Sequence, residues 1–182
     1  MDKRFAYDEL VFAGSVAEVH KVGLRTPDGT VVQRDLIRYG GAAVVLPVLS
    51  DGSIVMIRNY RFAVDERLLE LPAGMIEDHE APEACAVREL AEETGYTAAR
   101  VEKLGQFYTS PGSTDELMHA YVATELTGGR QDLERYEQIT TEAFWPEDVR
   151  RMILEGTIHD GKTIAALALY WMREPPASGA ST

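Results

Sequence analysis

The chain is 182 residues long, enough for one domain with a sizeable core, and its 45% hydrophobic and 26% charged residues are ordinary for a globular protein. Against 30 acidic side chains there are 18 basic ones, a formal net charge of −12, which argues against a nucleic-acid backbone as partner, since that requires a basic surface. One cysteine, Cys85, excludes an internal disulfide and a Cys-rich metal site, and no apolar run reaches the ~18 residues of a membrane span. The opening residues Met1-Asp2-Lys3-Arg4-Phe5 carry no apolar signal-peptide core, so a cytoplasmic location is expected.

In chain order, residues 10–38 predict antiparallel strands, with a β-branched run at 16–24, a Pro27-Asp28-Gly29 turn and a return strand at 31–37 bearing Arg34 and Arg38. Gly40-Gly41 opens the apolar run 42–48, Asp51-Gly52 is a hairpin turn, and 53–59 is the next strand; both runs read as central strands buried on both faces. Arg58-Asn59-Tyr60-Arg61 closes that strand, Asp65-Glu66-Arg67 reads as a loop, and Leu68-Leu69-Glu70-Leu71-Pro72-Ala73 leads into Gly74. Strands are expected at 101–108, 117–123 and 139–145, with a turn-rich loop at 110–116 and a polar, mobile loop at 127–138. Helices are expected at 146–154 and 163–171, and residues 175–182 form a small-residue tail expected to be disordered. Strands and helices without regular alternation make an α+β protein.

The remaining stretch, residues 74–95, carries the chemistry. It opens on Gly74, has Glu80 six residues on, and continues as Arg88-Glu89-Leu90-Ala91-Glu92-Glu93-Thr94-Gly95-Tyr96. Pro82 suits a first helical turn and Gly95 a C′ position, so its second half is a helix. At about 100° per residue, Glu89, Glu92 and Glu93 share a face, and Ala84, Val87, Ala91 and Thr94 are expected to point to the core. Three carboxylates on one turn repel one another unless cations neutralise them, and oxygen donors favour Mg²⁺ or Mn²⁺. The four histidines, His20, His79, His119 and His159, show no ligand spacing.

This spacing of glycines, glutamates and arginine resembles the Nudix box, Gly-x5-Glu-x7-Arg-Glu-U-x-Glu-Glu-x-Gly-U, with Leu90 at the first aliphatic position and Tyr96 at the second. A chance match in such a chain is on the order of 10⁻⁷. The resemblance implies a Nudix hydrolase, a mixed β-sheet sandwiched between α-helices, with an added N-terminal antiparallel sheet. It divides the chain into a dimerising sheet segment at 1–38, a hydrolase domain at 39–174 and the tail at 175–182. The Ser110-Pro111-Gly112 loop, sixteen residues after Gly95 at its proline, is similar to that of ADP-ribose pyrophosphatases, as are the Arg-Asn-Tyr-Arg strand end and the lead-in to Gly74.

That resemblance implies metal-dependent hydrolysis of ADP-ribose to AMP and ribose 5-phosphate by a homodimer. Its metal ligands would be the Ala73 carbonyl, Glu89, Glu92 and Glu93, binding Mg²⁺ or Mn²⁺, with Arg88 orienting a box glutamate. Arg34 and Arg61 match arginines on the diphosphate side of the substrate, where a guanidinium fork suits phosphate oxygens, Glu116 matches a residue on the terminal ribose, and Pro111 shapes the loop. The water-activating base falls in the 127–138 loop, which offers Asp132, Glu134 and Glu137; Glu137 is the expected base, with Glu92 the place to look if no loop carboxylate serves. The alternatives are a nucleotide-sugar diphosphatase, for example on GDP-mannose, or a ligand-binding domain that keeps the fold without turnover.

Overall fold

The structure is a computed structural model and describes residues 5–133 and 138–173. Its elements in chain order are β1 (Phe5–Ala13), β2 (Glu18–Arg25), β3 (Val31–Arg38), β4 (Ala42–Pro47), β5 (Ile54–Arg61), β6 (Glu66–Glu70), β7 (Ala73–Met75), α1 (Pro82–Thr94), β8 (Tyr96–Tyr108), β9 (Leu117–Gly128), β10 (Thr140–Phe144), α2 (Pro146–Leu154) and α3 (Gly161–Trp171). They fall into two compact units, one comprising the chain up to Gly41 with Tyr108–Leu117, the other Ala42–Phe107 with the rest.

The first unit is an antiparallel sheet in the order β1-β2-β3. β2 and β3 pair without interruption from Glu18↔Arg38 to Arg25↔Val31, whereas β1 is shifted twice against β2. The turn between β2 and β3 is closed by Thr26, whose N–H donates to the Thr30 carbonyl at 2.9 Å and whose carbonyl accepts from Gly29 N–H at 2.9 Å, with Gly29 in the left-handed region at φ 86°. The loop 109–116 joins this sheet through Ile37 N–H to the Ser113 carbonyl at 2.9 Å and Tyr39 N–H to Asp115 Oδ1 at 2.9 Å.

The second unit has a mixed four-stranded sheet, β7-β4-β9-β8, in which β4 runs parallel to β9 and antiparallel to β7. Every residue of β4 is buried, because its alternating side chains feed two cores. Ala43 and Val45 face α1, where they meet Cys85, Ala86, Leu90, Tyr121 and Ala123. Val44 and Leu46 face the other way, into a larger core filled by Ile54, Met56, Leu69, Val149 and Leu167. That core is completed by the antiparallel sheet β10-β5-β6 and by α2 and α3. β4 and β5 are thus interior strands, as their apolar runs predict.

Three expectations are corrected. Residues 66–70, with a polar start that reads as a loop, are strand β6, because pairing with β5 in register Ile57↔Glu70 satisfies that backbone. The core side of α1 is Cys85, Ala86, Leu90, Glu93 and Thr94; Ala84 and Val87 are exposed. The helix is rotated so that bulky Leu90 enters the core, which carries Glu93 inward with it. The 127–138 stretch is not wholly a loop: β9 runs on to Gly128, and the segment after it is tied to the end of α1. Asp132 N–H donates to the Glu92 carbonyl at 3.0 Å and Gln131 Nε2 to the Glu93 carbonyl at 2.5 Å, filling acceptors that a helix end leaves open. The expected tail at 175–182 lies outside the described residues.

Candidate active site

The Gly74–Gly95 stretch folds back on itself so that β7 and α1 lie side by side. β7 is held by β4 through Ala43↔Gly74 and Val44↔Ala73. A turn follows in which Glu80 N–H donates to the Glu77 carbonyl at 3.0 Å and His79 takes a left-handed φ of 66°. Pro82 then begins α1, and Gly95 ends it at φ 75° with its N–H on the Ala91 carbonyl. Gly74 has a second reason to be glycine. A Cβ there would run into the Glu89 carboxylate, so that carboxylate lies directly against the β7 backbone only because the side chain is missing.

Glu93 is 3% exposed. Its Oε2 accepts from the Ala73 amide at 2.9 Å, which ties the last full turn of α1 to β7. Arg88 serves the other carboxylates. Its Nε donates to Glu80 Oε1 at 2.9 Å, its Nη2 to Glu80 Oε2 at 3.0 Å and to the Met75 carbonyl at 3.0 Å, and its Nη1 to Glu89 Oε1 at 2.6 Å and Glu92 Oε2 at 3.0 Å. These contacts hold the Glu80 carboxyl at about 2, and the guanidinium pKa is raised in turn, chiefly by Glu80. Cys85 packs beneath, with Sγ 3.6 and 3.4 Å from the Gly74 and Met75 carbonyls, and burial pushes its thiol up to about 12.

Arg61, at the end of β5, donates to Glu70, and the charge of Glu93 acts on it as well. In the first unit, Arg34 and Pro111 line one cavity of about 220 Å³ together with Phe5, Val22, Leu24 and Leu36. Arg34 Nη1 donates to the Gln33 carbonyl at 2.8 Å, and Glu116 Oε2 accepts from Thr109 Oγ1 at 2.5 Å. Glu134 and Glu137 lie outside the described residues, while Asp132 is placed by its amide at the end of α1.

A hard cation fits the donor chemistry beside Gly74: three carboxylates and a backbone carbonyl, all oxygen. Among the described residues, no three His, Cys, Asp or Glu side chains converge as a metal cage would; Glu89 and Glu92 are turned onto Arg88. Sequence reading passed over Glu70 and Lys162. The signal for Glu70 was present in Leu-Leu-Glu-Leu, because a carboxylate inside an apolar run needs cationic partners, but nothing in the sequence marked Lys162 as one of them.

A family model described as the NUDIX domain matches residues 38–167. An ADP-ribose pyrophosphatase of Bacillus subtilis is 32% identical over 96% of this chain and 95% of its own length. A GDP-mannose pyrophosphatase of Cronobacter sakazakii is 38% identical over 82% of this chain and 84% of its own. A solved structure described as an ADP compounds hydrolase superimposes with a TM-score of 0.78 at 24% identity, covering 92% of this chain and 91% of that one, which shows a common fold. With the box glutamates ranged along α1 against β7, and a family match spanning most of its length, the chain belongs to the Nudix hydrolases.

Proposed function

We propose that the chain hydrolyses the diphosphate of ADP-ribose to AMP and ribose 5-phosphate. The observation that carries the reading is the box helix beside Ala73 and Gly74, with Glu89 in the space a Cβ would fill, in a chain 32% identical over nearly its whole length to an ADP-ribose pyrophosphatase. The Ala73 carbonyl, Glu89, Glu92 and Glu93 would hold Mg²⁺, or Mn²⁺ in its place. A divalent cation, when bound, neutralises the diphosphate and polarises it. Arg88 keeps the neighbouring carboxylates oriented. Arg61 and Arg34 take the diphosphate oxygens, Glu116 the terminal ribose, and Pro111 holds its loop in shape.

In the reaction a water oxygen attacks one phosphorus, the bridging P–O bond breaks, and the water proton passes to a carboxylate, Glu137 by the loop position it occupies in the sequence. Glu134 is the next base to test, and Glu92 follows if neither loop carboxylate matters. The protein acts as a homodimer through the β1–β3 sheet, in the cytoplasm. No helix among the described residues is long and apolar enough to cross a membrane.

The second reading, a nucleotide-sugar diphosphatase, is favoured by the 38% identity to a GDP-mannose pyrophosphatase. It uses the same bond and the same carboxylates. Phosphate released by added phosphatase, after incubation with Mg²⁺ and ADP-ribose, GDP-mannose or UDP-glucose, separates them. The highest kcat/KM is expected on ADP-ribose. A tenfold or larger preference for GDP-mannose establishes the second reading, and no turnover of any of the three refutes both.

A further inference from the structure

Glu70 lies at the end of β6, and its carboxylate is only 1% exposed. A buried carboxylate costs several kcal/mol unless cations and hydrogen bonds compensate it. Two cations take this one. Arg61 Nε donates to both oxygens, at 3.0 and 3.2 Å, and Nη2 donates to Oε2 at 2.7 Å. Lys162 Nζ donates to the same Oε2 at 2.5 Å and stands 3.0 Å from Asp160.

The frame around these charges is fixed at both ends. Asp160 caps α3 by accepting from Thr163 N–H at 3.0 Å, and Thr163 Oγ1 accepts from the buried Leu71 amide at 2.9 Å. The first turn of α3 and the end of β6 are therefore locked together around one carboxylate. Arg61 is held by one edge of its guanidinium only. Its Nη1 has no hydrogen-bond partner among the described residues, and the side chain is 37% exposed.

We propose that Glu70 and Lys162 are positioning residues for diphosphate recognition. Glu70 takes the Nε edge of Arg61 and so presents Nη1 in one orientation to a phosphate oxygen. Lys162 shares Oε2, which fixes the carboxylate and leaves more of the guanidinium charge for the substrate. A guanidinium on a free stem would have to be ordered at each binding event; this one is ordered in advance. The inference rests on the reading of Arg61 as a diphosphate contact.

Steady-state kinetics on ADP-ribose with Mg²⁺ test it, using Arg61→Ala, Glu70→Gln, Lys162→Met, Lys162→Arg and the Arg61→Ala/Glu70→Gln double variant. Glu70→Gln is expected to raise KM by roughly tenfold with kcat within about threefold of wild type, and Lys162→Met to raise KM by about threefold. Lys162→Arg should restore wild-type KM. In the Arg61→Ala background, Glu70→Gln should add nothing, because its effect passes through Arg61. A merely structural role would lower the melting temperature and the active fraction while leaving KM unchanged. If Arg61→Ala raises KM but Glu70→Gln and Lys162→Met do not, or if the two effects multiply in the double variant, the positioning role is overturned. If Arg61→Ala itself leaves KM unchanged, the reading of Arg61 falls and the positioning role falls with it. Should Glu70→Gln not fold, Lys162→Met, which leaves Glu70 paired with Arg61, decides by the same KM criterion.

Discussion

Glu93 combines two demands in one side chain. It sits on the core side of α1 at 3% exposure, where the Ala73 amide gives its carboxylate a hydrogen-bond partner, and it is one of the proposed metal ligands. Glu93→Gln keeps the shape and can still accept that hydrogen bond, so the fold is expected to survive while most turnover is lost. Unchanged activity at saturating Mg²⁺, with an unchanged circular dichroism spectrum, would remove Glu93 from the proposed metal site. Glu80 makes a separate prediction about pH. Its hydrogen bonds from Arg88 hold the folded pKa at about 2, below the roughly 4.3 of an unfolded glutamate. A lowered carboxyl pKa stabilises the fold above the unfolded value, and that contribution is lost as pH falls toward the folded one. The stability deficit of Glu80→Gln is therefore expected to be full at about pH 6 and to shrink between about pH 4 and pH 2. Urea unfolding of both proteins across that window checks it; a deficit independent of pH would show that the Arg88 pairing is not its source.

At the scale of elements, α1 is fixed by what happens at its two ends. Its start has no side-chain cap; Pro82 and Glu83 suit the first turn instead. Its end is more constrained. Gly95 takes a left-handed φ of 75°, and a Cβ there would lie 2.9 Å from the backbone of Arg130 and Gln131. Both the conformation and the close approach disfavour any residue with a Cβ. Gly95→Ala is expected to cost about 1–2 kcal/mol from the backbone conformation alone, with more from the clash. In a protein of this size that is a drop of at least several degrees in Tm. A thermal melt indistinguishable from wild type would mean that the 129–132 segment yields freely, contrary to its hydrogen bonds onto the Glu92 and Glu93 carbonyls.

At the scale of the whole molecule, the β1–β3 sheet exposes Leu10, Val11 and Phe12 on β1, Leu24 on β2 and Val31 on β3. Exposed apolar patches of this kind mark association surfaces. Light scattering is expected to give twice the chain mass, and Phe12→Glu, at a side chain 61% exposed, to shift it toward the monomer. A wild-type monomer with full activity at nanomolar concentration would contradict the dimer.

What the sequence determined by itself was the local chemistry and most of the elements. The box spacing is a helical repeat, so Glu89, Glu92 and Glu93 were bound to lie near one another once α1 formed, and Pro82 and Gly95 mark its ends. The apolar runs of β4 and β5 likewise implied interior strands. Tertiary structure decided what depends on partners remote in the chain. Pairing with β5 made a strand of residues 66–70, because the ladder satisfies a backbone whose polar start, Glu66-Arg67, reads as loop. The rotation of α1, which exposes Ala84 and Val87 and buries Glu93, was set by how Leu90 fits against β4 and β9, since several faces of that helix are apolar enough to pack. Glu70 and Lys162 are separated by 92 residues, and only the docking of α3 beside β6 brings them to 2.5 Å, so a charge pattern along the chain could not reveal the pair.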